Sequence, residues 1–561
     1  DSIQALQPDG FQLGTLSELN SSGTDYAYFA FRQTDAPIFV TTTSDVSNGD
    51  TSSIVALRAN DGGDGISLRE AIEAANNTHN GTDIDTILFD IAQSDLNYSA
   101  VTNSYTIQLS SVLPWLDDSV IIDATTQAGY DGTPGISLRG NAIGGPDDYA
   151  FGSDTAGMTI RGFAIGGFSG GGFYLEGAGR HIIESNYIGT DVTGVVANAN
   201  GIGIYLNSGA DGSRIGGSTA GQGNLISGNT SYGIIIEGTS STTIQGNFIG
   251  TNAAGTAALG NQADGIMLAS GASNNLIGGV TAAERNIISG NDNDGIWITL
   301  VGTSANTIQG NWIGFGADGS NIGNAYHGIA VENGASSNLI GGTATGAGNR
   351  IGNSGWDGIS ISGATGNSLL HNVIVGNTGD AIDLNDDGVT SNDANDVDSG
   401  PNSLQNFPVI TTAETNEAGA VRVVGSLNTT ANTKIMVDVY ANSSSARQGE
   451  RYLGAFGVTT DGSGNASFEK TVYGTLAAGE YVTMTATVDN GDGTFGSTSE
   501  FSASRVASGG LMFAATDLSS GIELNTDGGN DSYFYLTDGR PVLGGLNQLT
   551  VEASFQVDSV P

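Results

Sequence analysis

The chain has 561 residues, with 88 glycines, 9 prolines, no cysteine, and 58 acidic against 16 basic residues, for a formal net charge of −42. That charge argues against nucleic acid or an anionic membrane surface as partner and favours divalent cations. The lack of cysteine removes disulfides and thiol chemistry, and no apolar run of about 18 residues is present to insert in a membrane.

A chain of this length is expected to hold several domains. Residues 1–38 read as part of a β-sandwich, with strands at 11–14 and 26–31 around the polar Asn20-Ser21-Ser22-Gly23 turn. Two or three strands cannot bury a sandwich core, so they are expected to pack on the neighbouring domain or to pair outside the chain. No signal peptide opens the sequence, which starts mid-pattern, and a trimmed precursor is expected. Residues 39–80 read as an N-terminal cap. Ser67-Leu68-Arg69-Glu70 is a capping box, opening a short amphipathic helix through Asn76 with Leu68, Ala71, Ile72 and Ala75 on one face. Open strand edges invite aggregation, and this helix is expected to cover one end of a solenoid.

Ile66-Ser67-Leu68-Arg69-Glu70-Ala71-Ile72 and Ala74-Ala75-Asn76-Asn77 resemble the CSLREA-type motif, with Ile66 where that motif carries its cysteine. The Ile-Gly-Gly and Asn-x-Ile-Ser-Gly-Asn repeats further along are similar to the parallel β-helices attached to that motif in very large secreted bacterial proteins. The resemblance covers roughly residues 40–506. It implies a modular surface or secreted protein, extracellular in location, and no assigned reaction.

Residues 81–400 read as the solenoid, with irregular early coils over 85–165. Asn-x-Ile then recurs at Asn186, Asn224, Asn247, Asn286, Asn311, Asn349 and Asn372, at spacings of 38, 23, 39, 25, 38 and 23 residues. Gly-Ile follows at Gly203, Gly233, Gly265, Gly295, Gly328 and Gly358, with Ala381-Ile382 in the last unit. It lies 9 residues after Asn in short units and 17 or 18 in long ones, so only the loop between the markers grows. Period-two alternation over residues 295–300 and the β-branched content indicate strands rather than helices. The fold predicted is all-β: a right-handed parallel β-helix with coils roughly 4.8 Å apart. The Asn two places before each inward Ile also points inward, at a bend, where stacked side chains can hydrogen-bond up the column.

Residues 401–408 read as a linker, and 401–506 as an immunoglobulin-like sandwich with strands near 421–424, 435–440, 452–456, 466–468 and 482–488. Residues 507–561 resemble the opening strands of a laminin-G/concanavalin-like domain, at 521–524 and 549–555. Both ends are incomplete sandwiches. The expectation is a segment of a longer protein, or a protomer that self-associates to complete them.

Three constellations could carry chemistry. Asp383, Asn385, Asp387 and Gly388 match the first half of a calcium loop, with Asp393, Asp396 and Asp398 in place of its missing glutamate; a solvated acidic linker is the plainer reading. The residues before successive Gly-Ile markers are Asp264, Asp294, His327 and Asp357, then Asp380. This column would serve turns, hold a cation, or perform acid–base hydrolysis of a glycan. Tyr187, Phe248 and Trp312 follow the Asn of each long unit, and Trp297 lies on the Gly-Ile strand with Tyr205, Ile235 and Met267 as neighbours in its column. Such rings stack on sugars, form a protein interface, or lie under the long loops. Lys434 and Lys470 are the two lysines, both outside the coils, which leaves no basic cluster for uronate lyase or epimerase chemistry. The leading expectation is a non-enzymatic, adhesin-like, fibre-forming module stabilised by calcium; the alternative is a polysaccharide hydrolase or lyase, or a glycan-binding module, on the β-helix face.

Overall fold

A computed structural model describes residues 36–80, 83–145, 148–155, 157–415 and 419–509, together with the pairing of Ile3–Gln7 with Gly10–Leu13 and of Ile522–Asn525 with Tyr533–Leu536. The strands expected at 11–14 and 521–524 fall in these two hairpins, whereas 26–31 and 549–555 lie outside the described residues. The chain divides into two compact units, residues 1–330 and 331–561.

The first unit is a right-handed parallel β-helix built from three stacks of short strands. One stack runs from Ile38–Val40 through Asp85–Phe89 and Val120–Asp123 to Thr307–Gln309; a second runs from Ser104–Gln108 to Trp312–Ile313; a third runs from Tyr149–Ser153 to Ile296–Ile298. Each stack sends one column of side chains inward. Ile160, Ile183, Ile215, Ile244, Ile277 and Ile308 are in register along the first, and all are fully buried. Ile165, Ile188, Ile226, Ile249, Ile288 and Ile313 do the same in the second. Burying each isoleucine contributes about 1.5–3 kcal/mol. The core is thin, which is why a modest apolar content suffices.

The bends between stacks are held by asparagine. Asn186, Asn224, Asn247, Asn286 and Asn311 form one buried column, in which the Oδ1 of each of the last four accepts the backbone N–H of the Asn one coil earlier at 3.0–3.3 Å, and that of Asn186 accepts the Phe163 N–H at 3.0 Å. Each Nδ2 donates to a carbonyl of the first-stack strand one coil earlier, as Asn224 does to Ile183 at 2.8 Å and Asn247 to Ile215 at 2.9 Å. A second column, unread from sequence, comprises Asn200, Asn229, Asn261, Asn291 and Asn324, linked side chain to side chain at 2.8–3.3 Å. At the third bend Asn275 donates to Asn306 at 2.9 Å.

The N-terminal helix is Leu68–Asn76, and its predicted apolar face is buried. Glu70 is fully buried: it closes the capping box on the Ser67 N–H at 2.9 Å and also accepts the N–H groups of Asn48 and Gly49 at 2.8 and 2.7 Å. A second short helix, Ile54–Ala59, not expected from the sequence, packs beside it.

The second unit begins with two more coils. Leu339–Gly341 pairs in parallel with Ser368–Leu370, Arg350–Gly352 with Val373–Val375, and Ile359–Ser362 with Ile382–Leu384. A sandwich of two sheets comes next, antiparallel apart from the parallel pairing of Val409–Thr415 with Ser508–Gly509, with Ala420–Asn428 central in one sheet and Lys434–Asn442 and Tyr481–Asp489 central in the other. The two sheets close on a core that includes Val421, Val423, Val437, Val439, Phe468 and Met484.

This sandwich caps the last coil of its unit. The strand N–H groups left open there are received by Thr498 Oγ1 at Leu369 (2.8 Å), Asp438 Oδ2 at His371 (2.9 Å), Gly449 O at Ile374 (2.9 Å) and Glu500 Oε1 at Leu384 (3.1 Å). Residues 401–408, read as a linker, are instead packed: Pro401–Leu404 forms a tight turn with positive φ at Asn402, Ser403 and Leu404, and buried Asn402 extends the asparagine column of the third bend by accepting the Asn367 N–H at 2.9 Å.

This packing has two measurable consequences. Asn247→Ala leaves buried donors of Asn224 without acceptors, and unfolding by denaturant should show a loss of about 2–3 kcal/mol; Asn247→Leu should not restore it. Burial raises Asp438 from 3.8 to about 7. A carboxyl group held more tightly protonated in the fold stabilises fully below its unfolded value and loses that contribution as pH climbs through its folded value. Asp438→Asn should therefore gain stability over wild type steadily between pH 4 and 7, and show no gain below pH 4, in thermal unfolding followed across that range.

Candidate functional site

The aspartate column is spent on backbone. Asp264 is 1% exposed, and its Oδ1 accepts the Asp294 N–H at 2.8 Å and the Asn293 side chain at 2.7 Å. Asp294 Oδ1 accepts the His327 N–H at 2.8 Å. In the second unit Asp357 Oδ1 accepts the Asp380 N–H at 2.6 Å. Each carboxylate thus caps the strand start one coil further on, the same service asparagine gives at the bends. Burial, and after it the neighbouring Asp357, raises Asp380 above the usual carboxylate range. His327 lies edge-on to Tyr326, with ring centroids 4.5 Å apart.

Tyr187, Phe248 and Trp312 stand on the second stack, each half-buried, and each long unit carries a loop just beyond its ring. The loops are tight, closed by the bridges Thr190↔Ala197, Thr251↔Ala258 and Phe315↔Asn321. They stack on one another, Ala253 N–H to Gly194 O at 2.9 Å and Ala317 N–H to Gly255 O at 2.8 Å. Gly194 packs on the Tyr187 ring and Gly255 on Phe248. The Arg285 guanidinium lies 4.4 Å from the Trp312 ring centre. Trp297 stands apart from these three, on the third stack, in register with Met267.

The acidic run divides in two. Asp383 still belongs to the last strand of its unit, Ile382–Leu384, and its carboxylate closes the following turn by accepting the N–H groups of Asp387 at 3.2 Å and Gly388 at 2.9 Å. Asn385 donates to Asp387 at 2.8 Å. Asp393, Asp396 and Asp398 instead converge, with one carboxylate oxygen from each within 4.8 Å of the others. Asp396 is positioned by the Asn406 N–H at 2.9 Å and the Thr429 hydroxyl at 2.7 Å, and Asp393 by the Val397 N–H at 3.2 Å. Burial, followed by repulsion among the three, pushes Asp396 and Asp398 above the usual range, and Asp398 Oδ1 is buried with no hydrogen-bond partner. Three hard oxygen donors, two of them reluctant to ionise beside each other, fit a calcium ion completed by carbonyls and water.

One cluster is read from the sequence only at Tyr205. On the outer face of the third stack, Tyr174 pairs in register with Tyr205, and Trp115 and Tyr149 lie against Tyr174 with centroids 6.0 and 5.2 Å away. Tyr174 and Tyr205 are 5.3 Å apart. Glu176 accepts from the Tyr174 hydroxyl at 3.1 Å, Asn207 donates to that hydroxyl at 2.9 Å, and Tyr205 donates to Glu237. The available signal was the shared pattern of Phe173-Tyr174-Leu175 and Ile204-Tyr205-Leu206, hidden because the Asn-x-Ile and Gly-Ile markers do not extend to the earlier coil.

No protein-family model matches the chain, and no curated protein does. Among solved structures, the chain is similar to the enzymatically active domain of tailspike protein 2 of bacteriophage CBA120, at 12% identity over 84% of this chain and 77% of that one, with a TM-score of 0.23. It is also similar to the A-module of the Azotobacter vinelandii mannuronan C-5 epimerase AlgE6, at 15% identity over 62% of this chain and 98% of that one, with a TM-score of 0.20.

Proposed function

We propose that the chain is a non-enzymatic, adhesin-like structural module of a large extracellular bacterial protein, stiffened by calcium at Asp393, Asp396 and Asp398. The observation that carries this reading is the state of the aspartate column. Acid–base hydrolysis needs two carboxyl groups free to exchange protons with a substrate, whereas Asp264 and Asp294 are buried and hold strand N–H groups across coils. The capping box at Ser67 and Glu70 supports a CSLREA-type cap, and the two-sheet sandwich supports an immunoglobulin-like module after the coils of the second unit. The hairpin Ile522–Asn525 with Tyr533–Leu536 is compatible with the start of a laminin-G/concanavalin-like domain. Self-association through the terminal modules would build fibres.

The calcium part is read by thermal unfolding. Added calcium should raise the unfolding midpoint of the sandwich-bearing unit in wild type and leave Asp396→Asn unmoved; equal midpoints with calcium and with chelator in wild type would remove the ion from the account. The non-enzymatic part is read by incubating wild type with a panel of neutral and acidic polysaccharides. No new reducing ends and no unsaturated products are expected, and product formed by wild type but not by Asp294→Asn would replace this reading with a hydrolase or lyase on the column.

A further inference from the structure

We propose that the outer face of the third stack, over its early coils, binds a neutral saccharide chain across Trp115, Tyr149, Tyr174 and Tyr205. This adds a ligand to the scaffold reading and does not depend on it. The outward side of a solenoid strand is ordinarily polar, yet here four rings form one continuous surface, each within 6.0 Å of Tyr174 between centroids. Trp115 remains 43% exposed.

The backbone is shaped to hold two of the rings. Gly152 occupies the column position paired with Tyr174, and a Cβ there would stand 3.0 Å from the Trp115 indole. Gly171, paired with Tyr149, would put a Cβ 2.7 Å from that ring. Both rings lie on glycine, whose missing side chain lets them approach the sheet closely.

The polar groups define the ligand class. Along the column each tyrosine brings its own partner: Glu176 and Asn207 at Tyr174, and Glu237 at Tyr205. Carboxylate and amide oxygens beside an apolar ring suit a ligand with C–H faces and many hydroxyl donors. The tyrosines with their partners repeat at one strand spacing, roughly 4.8 Å, along the stack. The charged side chains in the cluster are acidic, and the chain carries −42 overall, so uronate-rich and sulfated polymers are repelled. A small organic cation would call for rings closing around it; this surface is open and runs along the stack.

The test uses the full chain in affinity gel electrophoresis and tryptophan-fluorescence titration. The probes are galactomannan, cello-oligosaccharides, polygalacturonate and oligolysine. Retardation by a neutral glycan is expected, with polygalacturonate inert. Trp115→Ala and Tyr174→Ala should each weaken binding by at least about tenfold, with the unfolding midpoint kept in Trp115→Ala, whose ring is partly in solvent. The proposal is overturned if no neutral glycan retards the protein, if binding survives unchanged in Trp115→Ala, or if oligolysine alone binds. Cleavage of a bound glycan would contradict the non-enzymatic reading and leave this one standing.

Discussion

A chain that turns three corners per coil must find a partner for every buried backbone group at each corner. In this protein that partner is the asparagine side chain. One Oδ1 receives the N–H of the coil before, and one Nδ2 reaches back to a strand carbonyl, so a single residue settles two otherwise orphaned groups. Because each rung also touches the next, Asn186 to Asn311 act as a wire through the interior whose members polarise one another. The isoleucine columns supply the burial energy. The asparagine columns decide which residue stands over which, since a one-residue slip would turn Asn and Ile to the outer face and a two-residue slip would bury Asn at an isoleucine position.

This division of labour leaves the inside of each coil invariant and the outside free. Loop length changes between long and short units without disturbing a rung, which is why the extra residues appear as hairpin-like flaps stacked on the second stack. It also explains the aspartate column. Where an acidic side chain meets a strand N–H of the adjacent coil, Asp performs the task of Asn. Chemistry directed at another molecule must then come from outward positions, and on the described surface the aromatic cluster at Tyr174 is where ring area and polar partners coincide.

The regular coils were legible because their markers are spaced, not merely frequent. Asn-x-Ile and Gly-Ile located the strands, and the capping box located the terminal helix and its buried face. The second asparagine column was overlooked although its sign was present: Asn229, Asn261, Asn291 and Asn324 each lie four residues before a Gly-Ile. The calcium-loop pattern at Asp383 coincides with a turn pattern for a physical reason. Its spacing is that of a turn, and a carboxylate that still belongs to a strand closes the turn on backbone N–H groups. The helix Ile54–Ala59 was missed because six residues carry no readable period. Residues 401–408 looked like a linker from Pro401 and Pro408, yet Asn402 is drawn into the column by the unmet Asn367 N–H.

The sandwich ending the second unit meets the same demand with other groups. Buried Asp438 and Glu500 receive the amides of His371 and Leu384, and burial holds both carboxyl groups near neutrality, at about 7. The central claim, that inward asparagine rungs hold the coils together, is tested most directly by hydrogen–deuterium exchange resolved to peptides. The account predicts that the amides of Asn186, Asn224, Asn247 and Asn286 exchange last and together, in one cooperative opening with their flanking isoleucines. Early exchange of those amides, while the flanking strands stay protected, would contradict it.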